Sequence, residues 1–118
     1  MSHRPGGHGL LDVYGCPAHL LRDEGYLKTA LQGAAKAAGA TILGGHFHTF
    51  GEGGGVTGVL LLAESHLSIH TWPEYGFAAV DVFLCGSLQL EAVRAHLYAA
   101  LQAREEQWSV HRRGRDVM

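Results

Sequence analysis

At 118 residues, with 47% hydrophobic and 17% charged side chains, the chain has the size and balance of one globular domain able to bury a core of its own. A formal charge of −2 leaves no basic footprint for nucleic acid, and the longest apolar runs fall far short of the roughly 20 residues that cross a bilayer. The stretch Met1-Ser2-His3-Arg4-Pro5-Gly6-Gly7 lacks the apolar segment of a signal peptide, so the cytoplasm is the expected compartment, with Cys16 and Cys85 as free thiols.

In chain order, Gly9 to Gly15 alternates as a strand does, and Cys16-Pro17 ends it. Asp23 then caps a helix running to about Ala38, with Leu27, Ala30, Leu31, Ala34 and Ala35 on one face and Gly39 as the stop. Thr41 to Phe50 returns to strand pattern. After the loop Gly51-Glu52-Gly53-Gly54-Gly55, Val56 to Ala63 forms another strand that turns near Glu64-Ser65. Phe77 to Cys85 is a further strand, and Gly86-Ser87 offers an N-cap to a second helix, Leu88 to about Gln102, faced by Leu90, Val93, Leu97, Ala100 and Leu101. Trp108 to Val110 adds an edge strand, and the basic run His111-Arg112-Arg113-Gly114-Arg115 reads as a solvated end. This order predicts an α+β two-layer sandwich, a largely antiparallel sheet with two helices on one face.

The densest chemistry lies in Glu64-Ser65-His66-Leu67-Ser68-Ile69-His70-Thr71-Trp72-Pro73-Glu74, which crowds carboxylates, hydroxyls, imidazoles and an indole between two apolar segments. If the run is extended, His66, Ser68, His70 and Trp72 share one face and Leu67, Ile69 and Thr71 the other. A half-exposed strand with satisfied polar groups explains this pattern without function. A metal reading would need His46, His48, His66 and His70 to converge, but no carboxylate or thiol stands at ligand spacing beside them. A serine hydrolase is weakly supported, because no Gly-x-Ser-x-Gly elbow is present.

The segment resembles the processing-site signature of the prokaryotic S-adenosylmethionine decarboxylases, and the likeness continues through Gly76 to Gly86. It is echoed by Leu11 to Cys16, by Phe47-His48 and by Gly55-Val56-Thr57-Gly58, so it covers most of the chain. The resemblance implies a proenzyme that cuts itself between Glu64 and Ser65 into chains 1–64 and 65–118, with Ser65 becoming a covalent pyruvoyl group and no diffusible cofactor needed. The residue types suit that chemistry, since an alcohol in a tight bend can attack the preceding carbonyl and the resulting ester can eliminate when a base takes the alpha proton. By the same resemblance, His70 is the acid/base of self-processing and Thr57 the hydroxyl residue that assists it. Cys85 is the catalytic cysteine that reprotonates the substrate carbon, whereas Cys16 keeps a core role. The pyruvoyl ketone would hold the substrate amine as a Schiff base, and the expected assembly is a homodimer whose active sites draw on both protomers.

The family carries an aromatic residue at Phe50 that stacks on adenine and a glutamate at Glu74 that takes the ribose hydroxyls. The implied function is therefore conversion of S-adenosylmethionine to its decarboxylated form for spermidine synthesis. Around Phe50 the usual His-Lys-Phe-Ser-Pro-Gln-Gly gives way to His48-Thr49-Phe50-Gly51-Glu52-Gly53-Gly54-Gly55, losing a lysine and gaining a glutamate and glycines. Arginine or ornithine on the same fold, and a non-processing regulatory or metal-binding homologue, stand as alternatives.

Overall fold

Six strands, of which Val56–Leu62, Ser65–Trp72 and Phe77–Leu84 alternate cleanly between buried and more exposed positions, fold into a single sheet in the computed structural model, which describes residues 6–114. The elements are β1 (Gly6–Tyr14), α1 (Ala18–Leu21), α2 (Glu24–Ala37), β2 (Ile42–Thr49), β3 (Val56–Leu62), β4 (Ser65–Trp72), β5 (Phe77–Leu84), α3 (Leu90–Ala100) and β6 (Glu105–Arg113). A 3₁₀ turn at Pro73–Tyr75 joins β4 to β5. The strand order is β2-β3-β4-β5-β1-β6, and every neighbouring pair is antiparallel. The helices lie on one face, so the expected α+β two-layer sandwich is the observed one.

Helix α2 starts where the sequence predicts it, with Asp23 Oδ1 accepting a hydrogen bond from Tyr26 N at 3.0 Å. Its buried face is Leu27, Ala30, Leu31, Ala34 and Ala35, and the alanines allow close approach to the sheet. With Val93, Leu97 and Leu101 near α3 and Leu11, Val13, Leu60, Leu62, Leu67, Ile69, Val80, Val82 and Leu84 from the strands, this face makes the core.

Several boundaries differ from expectation, the first strand starting at Gly6 rather than Gly9 and a short helix, α1, forming after Pro17. The second helix is capped at Gln89, with no side-chain cap bond, because Gly86-Ser87 is taken up in the turn that leaves β5. Strand β4 begins at Ser65, so the turn is Ala63-Glu64 and Ser65 belongs to the sheet. The last strand is nine residues long and takes in the basic run through Arg113. It is bolted to α3, since Trp108 Nε1 donates to Glu91 Oε2 at 2.8 Å and Arg94 bridges Glu91 and Glu106 at 2.7 Å each. Residues Met1 to Pro5 and Arg115 lie outside the described residues.

Among the described residues the second sheet face carries no helix. It presents Leu10, Val59, Leu61 and Trp72, each more than a third exposed, around a polar centre of Ser68 and Asp81. Rows of rings flank that centre. Trp72, Phe77 and Tyr14 stack at about one end with centroids 5.1 and 5.2 Å apart, while His66 and His8 pack on Phe83 at 5.8 and 6.1 Å.

Candidate active site

Alternation along β4 puts Ser65, Leu67, Ile69 and Thr71 toward the helices and His66, Ser68, His70 and Trp72 on the open face, as the extended reading requires. Ser65 is 6% exposed, and its Oγ accepts a hydrogen bond from the backbone N–H of Cys85 at 3.0 Å. The preceding residue, Glu64, sits at φ +57°, the left-handed region that non-glycine residues avoid. A two-residue hairpin turn normally carries its positive φ at the first central residue or at both, as in types II′ and I′. Here only the second residue, Glu64, is left-handed, and it is the residue whose carbonyl carbon bonds to Ser65. An open depression of about 410 Å³ adjoins this turn, lined by Glu64, Ser65, His66, Phe83, His8 and Arg113.

A second depression, of about 230 Å³, opens at the other end of β4. Thr57 and His70 face each other across β3 and β4, with Oγ1 and Nδ1 3.1 Å apart. Phe50, Trp72 and Glu74 line the same hollow. Buried Thr71 ties its floor together by donating to the Leu21 carbonyl at 2.7 Å and accepting from Val56 N at 2.9 Å. The glycine loop closes compactly beside it, with Phe50 N donating to the Gly55 carbonyl at 2.9 Å, and a Cβ at Gly54 or Gly55 would run into the Phe50 or Thr71 carbonyl. The glycines therefore set the close approach that presents Phe50, whose side chain is largely exposed.

The structure thus gathers Ser65, Glu64 and Cys85 at one end and Thr57, His70, Phe50 and Glu74 at the other, and the two groups do not meet within a chain. Five residues of β4 separate Ser65 from His70, about 16 Å at the usual rise per strand residue. The metal reading is corrected by the same register. His48 and His70 flank Thr57, His46 faces Val59, and His66 lies four residues along β4 from His70, so the four imidazoles do not converge. Among the described residues no group of three or more candidate ligands gathers.

Around Ser65 the sequence alone did not single out His8, Phe83 or Arg113, which come from β1, β5 and β6 and are brought together by pairing across the sheet. His8 Nε2 is buried without a hydrogen bond and stands 3.6 Å from Asp81 Oδ1, outside hydrogen-bond range. Away from both hollows, burial pushes the Cys16 thiol up to about 11, in keeping with its place in the core.

A family model described as S-adenosylmethionine decarboxylase matches residues 7–114. The S-adenosylmethionine decarboxylase proenzyme of Prochlorococcus marinus (strain MIT 9313) is 59% identical over 81 residues, which span 69% of this chain and 64% of that relative, a little under two thirds of its length. The proenzyme of the same name from Prochlorococcus marinus (strain MIT 9211) is 44% identical over 114 residues, covering 96% of this chain and 93% of that relative. The crystal structure of the adenosylmethionine decarboxylase from Aquifex aeolicus VF5 superposes with a TM-score of 0.85 at 36% identity, over 96% of this chain and 93% of that one.

Proposed function

This chain belongs to the S-adenosylmethionine decarboxylase family, and from that premise we propose that it is a self-processing, pyruvoyl-dependent decarboxylase of S-adenosylmethionine. The observation that carries the reading is the Ala63-Glu64 turn. It strains the backbone at the residue before a small, buried hydroxyl, which is the arrangement an acyl shift from nitrogen to oxygen needs.

In the cut, Ser65 Oγ attacks the Glu64 carbonyl carbon and the peptide N–C bond breaks, giving an ester and a free amine. A base then removes the Ser65 alpha proton, the ester eliminates as the Glu64 carboxylate, and water converts the remaining dehydroalanine to the keto group with loss of ammonia. His70, held by Thr57, is the base. The residues fit a pyruvoyl group at position 65. Position 65 is buried, and the Cys85 N–H that now holds Ser65 Oγ lies within reach of an oxygen there. Once formed, the group supplies an electron sink for an α-amino acid losing carbon dioxide, the task pyridoxal phosphate performs elsewhere. Cys85, half-buried and next to Ser65, delivers a proton to the substrate carbon. Phe50 and Trp72 offer faces on which a purine stacks, and Glu74 accepts hydrogen bonds from ribose hydroxyls. That aromatic pair favours a nucleoside substrate over arginine or ornithine.

A separation of about 16 Å is too long for His70 to serve Ser65 of its own chain. A second copy seated on the open sheet face by a two-fold axis brings the Ser65 end of one protomer to the His70 end of its partner, completing two sites. The exposed Leu10, Val59 and Leu61 supply the apolar area for that contact.

Intact mass of the purified protein tests the reading together with carbon dioxide release from S-adenosylmethionine, arginine and ornithine side by side. Two chains parted at Glu64/Ser65, the second beginning with a pyruvoyl group, and release from S-adenosylmethionine are expected. Active protein with an unbroken chain overturns it, and release only from arginine or ornithine overturns the substrate.

A further inference from the structure

We propose that Arg113 grips the α-carboxylate of the substrate beside Ser65, and thereby separates substrate from decarboxylated product; this rests on the pyruvoyl reading above. The sequence marks the run around Arg113 as a solvated basic end, and its side chains are exposed as that reading requires, yet the fold pairs its backbone into the sheet. Arg113 makes the last rung of the β6 ladder, opposite Gly6, on a strand anchored to α3 through Glu91, Arg94, Glu106 and Trp108. It lines the hollow that opens at Ser65. A group attached at position 65 has this hollow beside it.

Among the lining side chains Arg113 alone is a cation at every working pH, the histidines requiring protonation. Among the described residues it makes no ion pair with a carboxylate, although Glu64 lines the same hollow. Gly6, paired with Arg113, leaves room for the Phe83 ring, since a Cβ there would stand 2.5 Å from Phe83 Cζ. The Phe83 ring forms an apolar wall that strengthens a charge contact made against it. An α-amino acid carries its carboxylate on the carbon bearing the amine, so a substrate held at position 65 by its amine turns an anion into this hollow. A planar guanidinium suits that anion, since it can take both oxygens.

The contact exists only while the carboxylate does. It contributes to substrate binding and vanishes when carbon dioxide leaves, so its loss raises KM while kcat is little changed. The product, lacking the anion, leaves the guanidinium unmatched and departs more readily.

The test compares processed wild type, R113Q and R113K by steady-state kinetics, with the dissociation constant of decarboxylated S-adenosylmethionine measured by calorimetry. For R113Q the expected result is a KM higher by about 10- to 100-fold, the range for a lost hydrogen bond to a charged group. kcat should stay within about threefold and product affinity within about twofold, with R113K falling between because it keeps the charge but not the fork. Equal shifts in substrate KM and product affinity overturn the proposal, as does no shift in either. If Arg113 serves instead to hold the Glu64 carboxylate freed by the cut, R113Q lowers the melting temperature of the processed protein and spares the preference for substrate over product, which also overturns it. An R113Q chain that stays uncut while R113K is cut and binds substrate as wild type does has the same meaning. A wild-type chain that is not cut, or releases no carbon dioxide from S-adenosylmethionine, sinks the parent reading; cut, active wild type with an unmoved R113Q sinks this one alone.

Discussion

Mixing Ser65→Ala chains with His70→Ala chains asks directly whether the cut is made across a dimer. The structure sets the magnitude. Ser65 and His70 stand about 16 Å apart along β4, whereas a base must come within about 3 Å of the proton it takes. No side-chain rotation closes that gap within one rigid strand, so each variant alone should remain uncut. A heterodimer restores one complete site, because the Ser65→Ala chain lends its His70 to the Ser65 of its partner. With equal amounts and random pairing, about half of the His70→Ala chains find a Ser65→Ala partner, so about half of them should be cut. None of the Ser65→Ala chains should be. An N-terminal size tag on one variant distinguishes the two uncut chains and their 1–64 fragments by denaturing electrophoresis, and native mass spectrometry counts the heterodimers. A doubly substituted chain mixed with His70→Ala serves as the control that should give no cutting. Heterodimers that form yet stay uncut would refute the shared site, and so would His70→Ala chains that process unaided at the wild-type rate.

Further outcomes follow from the geometry of each end of β4. Glu64→Gly removes the left-handed strain, which for an L-residue costs about 1–2 kcal/mol, offset in part by the greater freedom of glycine in the unfolded chain. In a Ser65→Ala background it should raise the melting temperature by a few degrees, and with Ser65 intact it should slow the cut by about fivefold; faster cutting at unchanged stability would argue that the strain plays no part. Cys85→Ala should be processed yet decarboxylate at least about tenfold more slowly, and full turnover with normal product would remove its assigned role. Phe50→Ala should raise KM by roughly 5- to 100-fold, the range for a lost base–aromatic stack, with processing unchanged by mass. Because burial holds the Cys16 thiol at about 11, only about one molecule in a thousand carries its thiolate at pH 8, and the fraction rises only as pH approaches that value. Alkylation at pH 8 should therefore label Cys85 and spare Cys16, which peptide mapping can check.

Local pattern sufficed for much of the architecture. The α2 face from Leu27 to Ala35, its Asp23 cap and the alternation of β3, β4 and β5 are set by contacts within a few residues, and each reads out of the chain directly. The Gly86-Ser87 cap was misplaced because those residues are engaged in the turn after β5, a demand of tertiary layout that competes with capping chemistry. The end strand was read too short for a related reason. Glu105 and Glu106 have weak strand preference, yet pairing with β1 and the bonds of Trp108 and Arg94 to α3 hold them extended.

The candidate site divides along the same line. By itself the sequence determined which groups are available, since a serine, a cysteine, a threonine, a histidine, an aromatic residue and a glutamate are matters of side-chain chemistry, and two-residue alternation set which side chains share a face of β4. Tertiary structure alone decided that Thr57 and His70 meet across β3 and β4, that Glu64 is left-handed, and that His8, Phe83 and Arg113 stand around Ser65. The physical reason is that register between strands distant in sequence is set by burying a shared core against α2 and α3, and no single segment carries that information.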